Sequence, residues 1–243
     1  AAETIADYFT SKTQLEKENQ QLRARALQSA KDLLTLETLT AENTQLRRLI
    51  EARERLPRAT TVAEIQYAGR DAFSRKVIID KGSGDGLQTG LAVLDDTGVI
   101  GQVTRVHPVL AEVTLITDKD HSIPVQVVRN GLRAVAFGTG DGTSLDLRFM
   151  AANADVQNGD VLVTSGIDGI YPPGLPVARI TRIERDAAYA FAKITCVPSA
   201  GTDRHRQVLV LSPDTSVPPP PAANSDAQSN SNRQSRRRTR REN

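Results

Sequence analysis

The sequence predicts a mainly β protein with an N-terminal α-helical coiled coil, its strands closing into two small six-stranded antiparallel β-barrel domains. Three observations carry that expectation. Residues 11–56 contain no Gly and no Pro and repeat apolar residues at alternating three- and four-residue spacing. Beyond Pro57 the texture changes to short β-branched runs broken by Gly and Asp. One pattern of turn and strand residues then occurs twice, sixty-nine residues apart.

The helix comes first. With Leu15 at a d position, Asn19, Leu22, Ala26, Ser29 and Leu33 follow the heptad, and after a three-residue slip near Leu36 the pattern resumes as Leu39, Asn43, Leu46 and Ile50. The stripe is too narrow for a globular core, and no second segment of this chain matches it, so its complement is a partner helix. The expected dimerisation seam is Leu15, Asn19, Leu22, Leu33, Leu39, Asn43, Leu46 and Ile50. Asn falls at an a position in both registers, within the string Glu-Asn-x-x-Leu-Arg that occurs at Glu18 to Arg23 and again at Glu42 to Arg47. A buried Asn pair specifies register and two strands at a cost in stability. The alternative is a single solvated helix lying along the body.

Twelve strands are expected after Pro57: 61–67, 75–80, 91–95, 99–106, 109–117, 123–129, 132–138, 144–149, 160–164, 176–184, 188–197 and 207–212. The echo lies within them. Leu87-Gln88-Thr89-Gly90 followed by Val93-Leu94 returns as Val156-Gln157-Asn158-Gly159 followed by Leu162-Val163. Two related β units follow, and closure into barrels removes their sheet edges. In sequence order the expected domains are 1–56 for the coiled coil, 58–147 for the first barrel, 148–213 for the second and 214–243 for a disordered Pro/Ser/Arg-rich tail. Strand 61–67 is a candidate to cross over into the second barrel, which would balance the two.

Composition narrows the function. The 243 residues carry a formal charge of +2, but the tail holds six Arg against Asp214, Asp226 and Glu242, so the body is close to neutral. A neutral body argues against nucleic acid as the main partner. The single Cys196 excludes a disulfide framework and a Cys-based metal site. His107, His121 and His205 form no metal-ligand pair, and no cofactor is implied. No apolar run reaches the ~18 residues of a membrane span, and no signal peptide is visible. The tail run Arg236-Arg237-Arg238-Thr239-Arg240-Arg241 follows four prolines, and its composition cannot bury enough apolar surface to order itself. Anionic lipid or wall polymer would suit its charge, as would a nucleic-acid arm or nuclear signal.

Some motifs invite chemistry. Two small barrels suggest a chymotrypsin-like hydrolase, with His107, Asp118 or Asp120, and Ser165 in the order of a triad. The local sequence opposes it, because Val163 stands two residues before Ser165 where a nucleophile turn needs Gly. Gly82-Ser83-Gly84-Asp85-Gly86 and Gly138-Thr139-Gly140-Asp141-Gly142 lack the tandem copies of calcium repeats and the Lys-Ser/Thr of a phosphate loop, and read as tight turns. A periplasmic adaptor of an efflux or secretion system also joins coiled coil to barrels, but inserts a helical hairpin where this chain has one N-terminal helix.

The most distinctive string runs from Gly159 to Val177, with a strand, Thr164-Ser165-Gly166, Asp168-Gly169, the turn Tyr171-Pro172-Pro173-Gly174 and Pro176-Val177 opening the next strand. Together with Ile79-Asp80-Lys81-Gly82-Ser83, Gly98-Val99-Ile100-Gly101-Gln102-Val103 and Leu115-Ile116-Thr117-Asp118, it resembles the extracytoplasmic part of the rod shape-determining protein MreC family. The resemblance implies a non-enzymatic scaffold at the periplasmic face of the bacterial inner membrane, anchored by a transmembrane helix absent from this chain. It implies self-association, binding to the elongation-specific penicillin-binding transpeptidase, and association with MreD and MreB-type proteins. The Arg-rich tail departs from the family pattern. An aromatic beside paired prolines is a rigid surface, so Ile170, Tyr171, Pro172 and Pro173 form the expected partner-contact turn.

Overall fold

The computed structural model describes residues 2–56, 58–69, 74–185, 190–201 and 206–213, with side chains from residue 14 onward. Pro57, His205 and the expected disordered tail from Asp214 lie outside the described residues. Helix α1 (Ala2–Arg55) is uninterrupted through the expected slip. The hydroxyls of Thr35, Thr38, Thr40 and Thr44 each donate to the carbonyl four residues back, so the threonines around Leu36 are satisfied by their own helix. Leu15, Leu22, Leu33, Leu39 and Ile50 are exposed along it. Near its C-terminus the helix turns another face inward: Leu49 is buried and Leu46 half-buried where α1 meets the last strand of the chain.

All twelve expected strands form. They are β1 (Thr60–Ala68), β2 (Lys76–Ile79), β3 (Ala92–Leu94), β4 (Val99–Val106), β5 (Ala111–Leu115), β6 (Ser122–Val127), β7 (Arg133–Gly138), β8 (Leu145–Arg148), β9 (Val161–Thr164), β10 (Pro176–Glu184), β11 (Lys193–Pro198) and β12 (Gln207–Leu211). They close into two six-stranded antiparallel barrels, with ring orders β1-β12-β3-β4-β5-β2 and β10-β11-β8-β7-β6-β9. Closure pairs the edges that an open sheet of these apolar strands would present to other chains.

Ring membership corrects the expected domain division at 147/148. β6, β7 and β8 belong to the second barrel, which is contiguous from Ser122 to Pro198, and β12 returns to complete the first. Nor does the segment 61–67 cross over: β1 lies between β12 and β2 in the first barrel. A division in sequence order assumes that each barrel is built from consecutive strands, whereas antiparallel pairing depends only on which edge an arriving strand finds open.

Alternation fills the interiors. In β6, Ile123, Val125 and Val127 are fully buried between Ser122, Pro124 and Gln126, which face outward. Ala63, Val77, Ile79, Val93, Val103 and Val208 are among the residues that pack the first barrel. Ala92, Leu94, Val99 and Leu211 sit on strands of that barrel but pack in the core of the second, so the two share an apolar boundary. Cys196 lies in the second core, and burial pushes its thiol up to about 12.

Polar clamps hold the boundary. The Arg75 guanidinium, ahead of β2, donates to the carbonyls of Gly140 at 3.1 Å and Asp141 at 2.9 Å in the β7–β8 turn. Asp95, buried after β3, accepts the backbone N–H groups of Thr97, Gly98 and Gly201 through its two carboxylate oxygens. The Arg75 bonds and the Gly201–Asp95 bond hold one barrel's turn against distant chain, while the Thr97 and Gly98 bonds close the Asp95 turn itself.

Candidate functional site

The turn 165–175 is built to be rigid. Thr164 donates its hydroxyl to the Pro172 carbonyl and accepts the N–H of Leu175 at 2.9 Å, while Asp168 accepts the N–H groups of Ile170 and Tyr171. It does not present its aromatic as expected. Tyr171 is only 2% exposed and belongs to the core of the second barrel, Pro172 is buried and Ile170 half-buried; Pro173 alone of the four is exposed. Burying the ring removes far more apolar surface from water than solvation of one hydroxyl returns, and the hydroxyl keeps a partner inside, sharing a 3.2 Å hydrogen bond with His121 Nε2. Burial lowers the His121 imidazole from its ordinary value against the opposing pull of Asp118 and Asp168, and raises the Tyr171 phenol.

The residues ordered like a triad are employed separately. His107 is exposed between β4 and β5, and the buried Asp118 accepts the backbone N–H groups of Arg75 at 2.6 Å and Asp120 at 2.9 Å. Ser165 donates its backbone N–H to the Pro124 carbonyl and has its Oγ buried. Among the described residues no hydrogen bond joins the side chains of His107, Asp118 or Asp120, and Ser165.

Two exposed phenylalanines lie on the β7, β8 and β11 side of the second barrel. Phe149 follows β8 and is 74% exposed; Phe191 precedes β11 and is 55% exposed. Their rings meet edge to face with centroids 6.1 Å apart, and Phe149 meets Phe137 of β7 in the same manner at 6.4 Å. The Arg148 guanidinium caps the Phe137 ring at 4.6 Å. Phe149 is the one described non-glycine residue in the left-handed region, with φ 61°, a conformation that costs a bulky L-residue about 1–2 kcal/mol. The strand ends there, and the reversal throws the ring outward, beside the groove.

That groove has a volume of about 540 Å³, its floor formed by Leu147, Ala192 and Ile194 and its rim by Arg148, Lys193 and Glu184. Two aromatic rings left in water with a third half-buried beside them, and mixed charge around them, have the anatomy of a protein-docking surface: apolar anchors within a polar rim. No motif in the sequence marks these rings as a group. The chain has only five Phe, and three of them, Phe137, Phe149 and Phe191, stand at or beside predicted strands; a Phe at a strand end, where no core position awaits it, was the available signal.

A second exposed apolar feature is the stripe of α1, with Leu22, Leu33 and Leu39 in water. Beside it a recess of about 530 Å³ runs between Leu36, Thr40 and Arg48 of the helix and Asp96 in the β3–β4 turn. Among the described residues no helix is long and apolar enough to cross a membrane.

A long helix feeding two closed barrels that share a boundary, with an aromatic face and an unpartnered apolar stripe, defines a double-barrel protein whose chemistry lies in its surfaces. The family described as Rod shape-determining protein MreC, barrel core, matches residues 65–212, and the chain belongs to that family. The Cell shape-determining protein MreC of Escherichia coli is 39% identical over 207 residues, covering 85% of this chain and 56% of that protein. The chain therefore spans little more than half the length of that relative. The crystal structure of MreC from Pseudomonas aeruginosa is 44% identical and superposes with a TM-score of 0.61, covering 63% of this chain and 99% of that one. The fold is also shared with Helicobacter pylori MreC, solved in a complex with penicillin-binding protein PBP2, at 20% identity and a TM-score of 0.50, covering 63% of this chain and 97% of that one.

Proposed function

We propose that this chain is the extracytoplasmic scaffold of a cell-shape protein, in which α1 pairs two copies and the aromatic face of the second barrel holds a penicillin-binding transpeptidase of the wall-elongation machinery. The single observation that carries the reading is the cluster of Phe137, Phe149 and Phe191 beside an apolar groove. Removing two rings from water at a partner's surface supplies about 1.5–3 kcal/mol each, at little ordering cost because each ring already rests against a neighbour. That a related MreC was solved with PBP2 supports the class of partner.

The scaffold acts by geometry. The helix sets a distance and a pairing through Leu15, Asn19, Leu22, Leu33, Leu39, Asn43 and Ile50, while Leu46 of the expected seam faces the barrel instead, and the barrels carry the enzyme-binding face. It works at the periplasmic face of the bacterial inner membrane, held by a membrane anchor outside this chain, with MreD and MreB-type proteins as further partners. The test is binding of the purified extracytoplasmic part of the transpeptidase to this chain and to a Phe149→Ala, Phe191→Ala variant. A loss of affinity of about tenfold or more is expected; equal binding by both proteins would place the enzyme elsewhere.

A further inference from the structure

The two barrels correspond strand by strand. In the first, the Gly90 N–H donates to the Val103 carbonyl at 2.7 Å, the Val103 N–H returns to Leu91, and the β4–β5 register shifts between Val103 and Arg105. In the second, the Gly159 N–H donates to the Ile180 carbonyl at 2.8 Å, the Ile180 N–H returns to Asp160, and the β10–β11 register shifts between Ile180 and Arg182. Gly90 and Gly159 have φ of 92° and 93°. Beside these ladders Val77 and Ile79 of β2 face Val113 and Ala111 of β5, as Leu145 and Leu147 of β8 face Cys196 and Ile194 of β11. The sequence echo is therefore one structural unit used twice.

Carrying the correspondence round the rings gives β1, β2, β3, β4 and β5 the places of β7, β8, β9, β10 and β11. One strand of each ring remains. β12 closes the first barrel between β1 and β3, and β6 closes the second between β7 and β9. By chain order β6 follows the first five strands and β12 the second five, so each closes the other unit's barrel.

We infer that the two barrels are copies of one six-stranded unit whose closing strands have been exchanged within the chain, and that the slot between β1 and β3 is a strand-binding site accepting either closing sequence. The registers align Val208 and Val210 of β12 with Val125 and Val127 of β6. All four are buried, and all four point into their barrels. The ligand class is thus an extended segment with valine-sized residues at alternate positions, bound by ladder hydrogen bonds on both edges.

The outward positions decide which strand goes where. Leu209 and Leu211 of β12 are buried although neither belongs to the first core: Leu211 packs in the second barrel's core, and Leu209 lies on the strand that α1 touches. Their counterparts on β6 are Gln126, half-buried, and Val128, exposed. In the buried place of Leu209, Gln126 would lose its water without a partner, a cost that keeps β6 in the second barrel.

The test starts from folded full-length protein carrying a protease site in place of residues 202–205. After cleavage the strand fragment is removed in denaturant, and the large fragment is refolded with labelled peptides of residues 206–213, of residues 122–129, or of 206–213 with Val208→Asp and Val210→Asp. The first peptide is expected to restore a single unfolding transition. The second should bind about 100-fold more weakly, for want of the two outward leucines, and the third not at all. Failure of the first to bind, or equal binding by the second and third, overturns the inference. In the intact chain, Val208→Asp with Val210→Asp should strip amide protection from β1 and β3 and leave β7 and β9 protected; equal loss in both pairs would show that the slot is not a separable site.

Discussion

Phe149 and Phe191 are forty-two residues apart in the chain and stand edge to face with ring centroids 6.1 Å apart on the outside of the second barrel. The pairing of β11 with β8 puts them there, and the Ala151–Phe191 bridge fixes their spacing. Neither ring stabilises the barrel core, so each can be removed without opening it.

Replacing both with Ala should change unfolding free energy by no more than about 1 kcal/mol, typical of exposed positions. Phe149→Gly should hold or raise the melting temperature, because Gly adopts φ 61° without strain. Thermal melts run beside transpeptidase binding check both. A variant that loses binding only together with its melting transition would assign these rings to folding.

The helix carries two kinds of leucine along its length, exposed and barrel-facing. Leu22→Lys with Leu39→Lys alters residues 56% and 58% exposed in the single chain, and should abolish self-association without changing the barrel melt. Leu49→Lys buries a charge where α1 meets β12 and should cost several kcal/mol of stability. Sedimentation mass and thermal unfolding together distinguish them; an unchanged mass for the first variant would move pairing to the barrels.

Gly138 ends β7 under the chain that links the barrels. A Cβ there would lie 2.0 Å from the Asp118 carbonyl oxygen and 2.4 Å from the Thr117 carbonyl carbon, both backbone atoms that a rotamer change cannot move. Gly138→Ala is expected to destabilise by about 1–3 kcal/mol. A denaturant midpoint equal to the parent's would mean that the linking segment 116–121 gives way freely.

His121 supplies a pH dependence whose sign is determined. Its imidazole is lowered chiefly by burial, so near pH 6 the unfolded chain binds more protons than the folded one. Stability is therefore complete above the ordinary histidine value, about 6.5, and falls as pH drops from there toward the lowered folded value. Melting temperatures between pH 7.5 and 5 should decline in this window, and less steeply in His121→Gln; identical slopes would assign the decline to the carboxylates.

Much of this could be read in residue order. Alternation in runs such as Ser122–Val127 located the strands, because period-two burial is a property of each segment alone. The repeated Gln-x-Gly signature was legible because both glycines need a positive φ. Tyr171 is not legible for the opposite reason: its turn sequence resembles an exposed one, and only the packed core of the second barrel, with His121 as hydrogen-bond partner, takes the ring in.

By itself the sequence determined the helix, the twelve strands, the duplication and the family, all of which rest on local periodicity, turn chemistry and short motifs. Only the tertiary structure decided that β6 and β12 close each other's units, that Leu46 and Leu49 turn toward the barrel, and that Phe137, Phe149 and Phe191 share a face. The inward valines of the two closing strands are alike, so choosing between them depends on what covers Leu209 and Leu211 from outside. That cover comes from other parts of the chain, and it exists only once they have packed.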